Sequence, residues 1–115
     1  MHTPSPRQHK VSRLIQKDMA EMLQLFAKDW LPGVLLSVTS VRVSPDYALA
    51  KVYVSVFPSD KSDGVLEMLN KNNKEIRYQL GQRVKNQLRK IPEIAIFLDD
   101  SLDYMEQIDK KLKDI

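Results

Sequence analysis

The chain contains no cysteine, which removes disulfides, thiolate metal sites and a cysteine nucleophile together. That lack fits a reducing, cytoplasmic compartment. Glycine is nearly as scarce: Gly33, Gly64 and Gly81 stand alone, so no Gly-rich loop is present to cradle a phosphate. No apolar run approaches the roughly 20 residues that a membrane helix needs. Met1-His2-Thr3-Pro4-Ser5 is followed by no apolar stretch, so a secretory signal is not expected either. His2 and His9 have no third ligand or carboxylate beside them. No nucleophile and base stand at a recognisable spacing. The expected chemistry is non-covalent, with no catalytic residue, no metal and no cofactor.

Acidic residues are missing from one stretch and nearly so from a second, and this says more than the net charge of +3. Residues 7 to 17 carry Arg7, Lys10, Arg13 and Lys17 with no acid among them. Residues 71 to 90 carry Lys71, Lys74, Arg77, Arg83, Lys85, Arg89 and Lys90 against Glu75 alone. The end of the chain reverses the sign, with Glu93, Asp99, Asp100, Asp103, Glu106, Asp109 and Asp114 against Lys110, Lys111 and Lys113. Such polarity suits a basic face for a polyanion and an acidic face turned away from it. The plainer alternative is a set of solvated helix faces. At 115 residues, 43% hydrophobic and 29% charged, the chain is expected to form one folded domain over 1–115, with a flexible lead over 1–6.

Periodicity supplies the elements. Ser5-Pro6-Arg7-Gln8 reads as a helix start, with Ser as cap, Pro at the first helical position and Gln reaching back. Val11, Ile15, Met19, Met22, Leu23 and Phe26 then share one side at 3.6 residues per turn. Lys10, Arg13 and Lys17 fall within about 60° of one another, opposite that stripe, and Glu21 is placed to pair with Lys17. Trp30-Leu31-Pro32-Gly33 ends the helix. A strand over 34–43 changes phase at Thr39-Ser40, which reads as a β-bulge, or else as a strand buried on both faces, with the bulge preferred. Ser44-Pro45-Asp46 makes a hairpin turn into a second strand over about 48–57, where Ala50, Val52, Val54 and Val56 alternate with Lys51, Tyr53 and Ser55. Ser62 or Asp63 is expected to cap a short helix holding Val65, Leu66 and Leu69. Asn70-Lys71-Asn72-Asn73-Lys74 interrupts it with poor helix formers. Ile76, Leu80, Val84 and Leu88 predict another helix, with Arg77, Lys85 and Arg89 on a neighbouring face and Arg83 elsewhere. Pro92 stops it. Ala95-Ile96-Phe97-Leu98 is expected as a third, central strand. Asp99-Asp100-Ser101 then offers caps for a terminal helix over 101–115. The order is α-β-β-α-α-β plus a final helix, a two-layer α+β domain.

That order matches the type II KH arrangement. Val41-Arg42-Val43-Ser44-Pro45-Asp46-Tyr47-Ala48-Leu49-Ala50-Lys51-Val52-Tyr53-Val54-Ser55 closely resembles the hairpin motif of the bacterial ribosome-binding factor A family. Lys10 to Lys17 resembles that family's first helix. Ile76-Arg77 through Arg89-Lys90-Ile91-Pro92-Glu93-Ile94 resembles its third helix and the start of the next strand. Leu98 to Tyr104 resembles its closing segment. The likeness covers roughly residues 7 to 112. It implies a non-enzymatic assembly factor that binds the immature small ribosomal subunit and its 16S ribosomal RNA. Late maturation including the RNA's 5′ end, cold adaptation and cooperation with assembly GTPases are implied with it. Ordinary KH domains hold nucleic acid on a GxxG loop, which is absent here. The family's Ala-x-Gly kink is replaced by Asn72-Asn73-Lys74.

Lys10, Arg13, Lys17, Arg77, Arg83, Lys85, Arg89 and Lys90 are the expected phosphate contacts, because cations acting together make salt-sensitive affinity for RNA. Arg42 and Lys51 are as readily explained by cross-strand pairing, and Tyr47, Tyr53 and Tyr78 by packing as by base stacking. Asp99, Asp100 and Asp103 suit a hard cation, but helix capping explains them without one. The expected state is a monomer with no membrane contact. A reading from another class makes the acidic terminal helix the working surface of a protein-interaction module.

Overall fold

A 25-residue helix, α1 (Pro6–Trp30), begins where the sequence places its cap. The Ser5 hydroxyl accepts the Gln8 N–H at 3.2 Å, and Gln8 Oε1 accepts the Ser5 N–H at 2.9 Å. Ser5 and Pro6 are therefore the cap and first turn of α1 rather than a flexible lead. Gln8 is also buried, and its Nε2 donates to the Val43 carbonyl at 3.2 Å, which ties the start of the helix to the sheet. α1 ends as its Leu31 cap donates to Ala27, and Gly33 turns the chain at φ +82, a left-handed value that suits glycine. The computed structural model describes residues 5–99. The terminal helix expected over 101–115, its capping aspartates Asp100 and Asp103, and the acidic surface of the alternative reading lie outside them.

Strands β1 (Leu35–Val43) and β2 (Leu49–Phe57) pair antiparallel from Leu35↔Phe57 to Val43↔Ala50. The register shifts between Val38 and Ser40, so the phase change in the sequence is a bulge at Thr39. The turn is held by side chains. Ser44 Oγ donates to Asp46 Oδ1 at 2.7 Å, and the same carboxylate accepts the Ala48 N–H at 3.1 Å. Tyr47 takes up the left-handed twist at φ +59.

A 3-10 turn (Ser59–Lys61) leads into α2 (Ser62–Lys71). Ser62 and Asp63 therefore lie inside the first turn; Lys61 occupies the cap position and makes no side-chain cap bond. Asn72 alone separates α2 from α3 (Asn73–Val84), at φ −102 and ψ 18, outside the left-handed region. Asn72 Nδ2 closes on the Met68 carbonyl at 2.8 Å, and Asn73 Nδ2 donates to Ile94 at 2.8 Å. α3 stops at Val84 instead of running to Leu88, and the Val84 carbonyl closes its last turn by accepting the N–H groups of both Gln87 and Leu88 at 2.9 Å. At about 100° per residue, a stripe of fours precesses about 40° per step, so a continued helix would carry Leu88 off the core. From the loop, Leu88 packs against it.

β3 (Glu93–Leu98) pairs parallel with β2, and the sheet order β1-β2-β3 puts β2 in the centre. The third strand is an edge, not the expected central strand. Its apolar run reflects period-two burial under helices, with Ile94 and Ile96 inward and Phe97 43% exposed. All core residues of the sheet lie on one face: Leu36, Val41, Val43, Ala50, Val52, Val54, Val56, Ile94 and Ile96. Ile15, Met19 and Leu23 of α1, Leu69 of α2, and Leu80 and Val84 of α3 cover them. This is the two-layer α+β, KH-like type II order expected from the sequence, with GxxG absent.

Leu80 is fully buried, so Leu80→Ala should lower unfolding stability by about 3 kcal/mol, and Ser5→Ala by about 1 kcal/mol through the lost cap. Urea unfolding at constant m-value measures both. A near-zero loss for Leu80→Ala would contradict this packing of α3.

Candidate nucleic-acid interface

The segment from Lys85 to Ile91 links α3 to β3; Lys85 closes the helix as its C-cap, still at the helical φ −55 and ψ −29, and Arg89 and Lys90 follow outside the helix. All three were expected on the third helix. Arg89 and Lys90 instead hang from a loop that Leu88 anchors to the core, between two hollows. The larger, of about 950 Å³, lies between the outer flank of α3 and the start of β3. Lys74, Arg77, Tyr78 and Gly81 line one side, with Lys85, Arg89, Lys90, Ile91 and Glu93 opposite or beyond. The smaller, of about 370 Å³, lies between the first turns of α1 and the hairpin turn. Arg7, Val11, Asp46, Tyr47, Arg89, Lys90 and Pro92 are among its walls. Arg89 and Lys90 therefore belong to both.

Two of the expected phosphate contacts already have internal partners. Arg77 Nε donates to Pro92 O at 3.0 Å, and its Nη2 to Ile91 O at 2.8 Å. The guanidinium thus pins the loop to α3 and sets the width of the larger hollow. Arg83 reaches across to α1, at 2.9 Å from Glu21 and 3.4 Å from Asp18. Glu21 pairs with Arg83, therefore, and not with Lys17 as its spacing suggested. Six residues separate Arg77 from Arg83, about 120° around the helix, so they face opposite flanks. The Arg83 bridge sets α1 and α3 side by side, while the Arg77 hollow opens on the other side of α3.

Lys10, Arg13 and Lys17 are exposed on α1 and form no salt bridge among the described residues. Lys85, Arg89 and Lys90 are likewise exposed and unbridged there. The α1 stripe and the Arg77 hollow are thus separated by the width of α3 and connected through the loop, whose Arg89 and Lys90 share a hollow with Arg7.

Three residues join the site that the sequence did not single out as phosphate contacts. Arg7 lies over the Tyr47 ring at 5.7 Å, a cation–π geometry that fixes it beside the loop. Lys74 follows the helix break and lines the larger hollow. Tyr78 is 63% exposed at the same place. Arg7 was visible only as a member of the acid-free run; its closeness to Arg89 needs the fold. No group of histidines, aspartates or glutamates suited to hold a metal occurs among the described residues, nor any helix long and apolar enough to cross a membrane.

Asp46 is the carboxylate of the smaller hollow. The Ser44 hydroxyl, and next the Ala48 N–H, hold its pKa below the ordinary 3.8, with a lesser pull from Lys90. A depressed carboxylate pKa stabilises the turn above the ordinary value, and that contribution fades as pH falls through the depressed one. The Asp46 carboxyl carbon should therefore titrate below 3.8 by NMR, and Ser44→Ala should return its midpoint toward 3.8. An unshifted midpoint in the unaltered chain would show that the turn does not form this bond.

Comparison with known proteins places the chain among ribosome-associated factors. Residues 7–112 match the family model described as ribosome-binding factor A. A ribosome-binding factor A of Christiangramia forsetii is 42% identical over 108 residues, covering 93% of this chain and 82% of that protein. The crystal structure of ribosome-binding factor A from Thermus thermophilus superimposes with a TM-score of 0.66 at 25% identity, over 79% of this chain and 94% of that one. A homology model of the Thermus thermophilus factor, fitted into the cryo-EM map of a complex of that factor with 30S, gives 0.62 at 26% identity, over 76% and 89%.

Proposed function

This chain belongs to the ribosome-binding factor A family, and from that premise we propose that it binds the immature small ribosomal subunit through that subunit's 16S ribosomal RNA, by a cationic surface made of α1 and the Lys85–Lys90 loop. The relative fitted into a 30S complex supports the partner. The observation that carries the surface is the division of labour among cations. Arg77 and Arg83 serve internal carbonyls and carboxylates, whereas Lys10, Arg13, Lys17, Lys85, Arg89 and Lys90 stand exposed without a salt bridge among the described residues.

RNA duplexes are read by shape, phosphate and 2′-hydroxyl contacts, and each neutralised phosphate adds to affinity and to its salt sensitivity. The rigid α1 offers a row of cations along an RNA backbone. The loop offers Arg89 and Lys90 at the mouths of two hollows, where an arginine fork grips a phosphate with two bonds. In this reading Arg77 and Arg83 are positioning residues: one holds the loop, the other holds α3 against α1. The factor works by docking, with no bond made or broken, and leaves as the subunit matures. Help with 5′-end maturation, growth in the cold and cooperation with assembly GTPases belong to the same proposal, as do a monomeric state and action in the cytoplasm.

The combined variant Arg13→Glu, Lys17→Glu, Lys85→Glu and Arg89→Glu should abolish co-sedimentation with small-subunit precursors on sucrose gradients, while its melting temperature stays within a few degrees of the unaltered chain. Retained sedimentation in a folded variant would reject the cationic surface.

A further inference from the structure

The helices cover one face of the sheet, and the other carries an arrangement of its own. By register, Arg42, Ser40, Ser37 and Leu35 of β1, Leu49, Lys51, Tyr53, Ser55 and Phe57 of β2, and Glu93, Ala95 and Phe97 of β3 share that other face, which no helix covers among the described residues. The rings of Tyr53 and Phe97, direct partners across the parallel pair, stack with centroids 5.6 Å apart and planes at 29°. Leu35 and Phe57 stay 62% and 69% exposed at one end of the face. At the other end Arg42 lies directly opposite Lys51. Like charges so placed destabilise a strand pair, and neither forms a salt bridge among the described residues. A hollow of about 280 Å³ opens there, lined by Arg42, Leu49, Lys51 and Tyr53 among others.

We propose that this helix-free sheet face of the described residues is a second RNA contact, which stacks unpaired nucleobases on Tyr53 and Phe97 and holds the adjoining phosphates on Arg42 and Lys51. The inference rests on the reading of the chain as an RNA-docking factor and extends it from the helical surface to single-stranded segments of the same RNA. Charge decides the occupant. By register the carboxylate of Glu93 stands on the same face one pair from Lys51, so an apolar protein surface would cover two opposed cations with a single acid between them, whereas a single strand supplies a flat ring for the aromatics and an anion for the cations in each nucleotide. The small serines Ser37, Ser40 and Ser55 between these groups leave the rings accessible from above.

The test uses the full chain and an eight-residue adenosine oligoribonucleotide. Binding should move the ring-proton resonances of Tyr53 and Phe97 upfield. The double variant Tyr53→Leu/Phe97→Leu, which keeps the strands apolar, should bind the octamer at least about tenfold more weakly with an unchanged melting temperature. Arg13→Glu/Lys17→Glu should leave the ring shifts intact, which separates this face from the helical one. Absence of octamer binding, or binding without ring shifts, overturns the inference while leaving the sedimentation result for the helical surface to stand by itself. Nuclear Overhauser contacts from Tyr53 or Phe97 to residues 102–115 in the free chain also overturn it, since the chain would then cover its own sheet.

Discussion

Period-two burial of β2 governs the architecture. Ala50, Val52, Val54 and Val56 point to one side and are buried almost completely, so every helix must lie on that side to keep water out. A parallel partner for β2 then needs a long crossover, which α2, α3 and the loop after them supply. The loop cannot follow the core stripe as helix, so it leaves α3 at Val84 and returns through Leu88 and Pro92. Its cations are held outward for the same reason that its apolar residues are held inward.

Charge is distributed by this geometry into three roles. Arg83 joins α3 to α1 by way of Asp18 and Glu21, and Arg77 fastens the loop by two backbone carbonyls. Lys10, Arg13, Lys17, Lys85, Arg89 and Lys90 are left facing solvent. The third group, Arg42 and Lys51, stands on the opposite face beside stacked aromatics. An exposed salt bridge such as Arg83 with Glu21 contributes little to stability by itself. Its effect here is geometric, since it fixes which flank of α3 meets α1 and leaves the Arg77 flank open.

Local rules read well from the sequence wherever a few neighbouring residues decided the outcome. The Ser5–Gln8 capping box, the bulge at Thr39 and the Ser44–Asp46 turn all depend on contacts within five residues or on a change of phase. The helix order followed from periodicity. Failures came where distant partners intervened. The apolar run of β3 reads alike for a central strand and for an edge strand under helices, and only the pairing with β2 separates the two. Spacing assigned Glu21 to Lys17, but Arg83 from another helix claims it. Leu88 fitted a helical stripe, but α3 ends at Val84 and Leu88 reaches the core from the loop. Candidate cations were legible as types and not as roles, because a guanidinium facing carbonyls and one facing solvent look the same in a sequence.

Position-specific cross-linking gives the most direct measurement of how the molecule docks. A photoreactive residue would be placed at Arg89 on the loop, and separately at Glu67, which is exposed on α2, before irradiation of the chain bound to small-subunit precursors. Cross-links from position 89 to ribosomal RNA, with none from position 67, are the expected result. RNA cross-links from position 67 and none from position 89 would contradict the cationic docking surface.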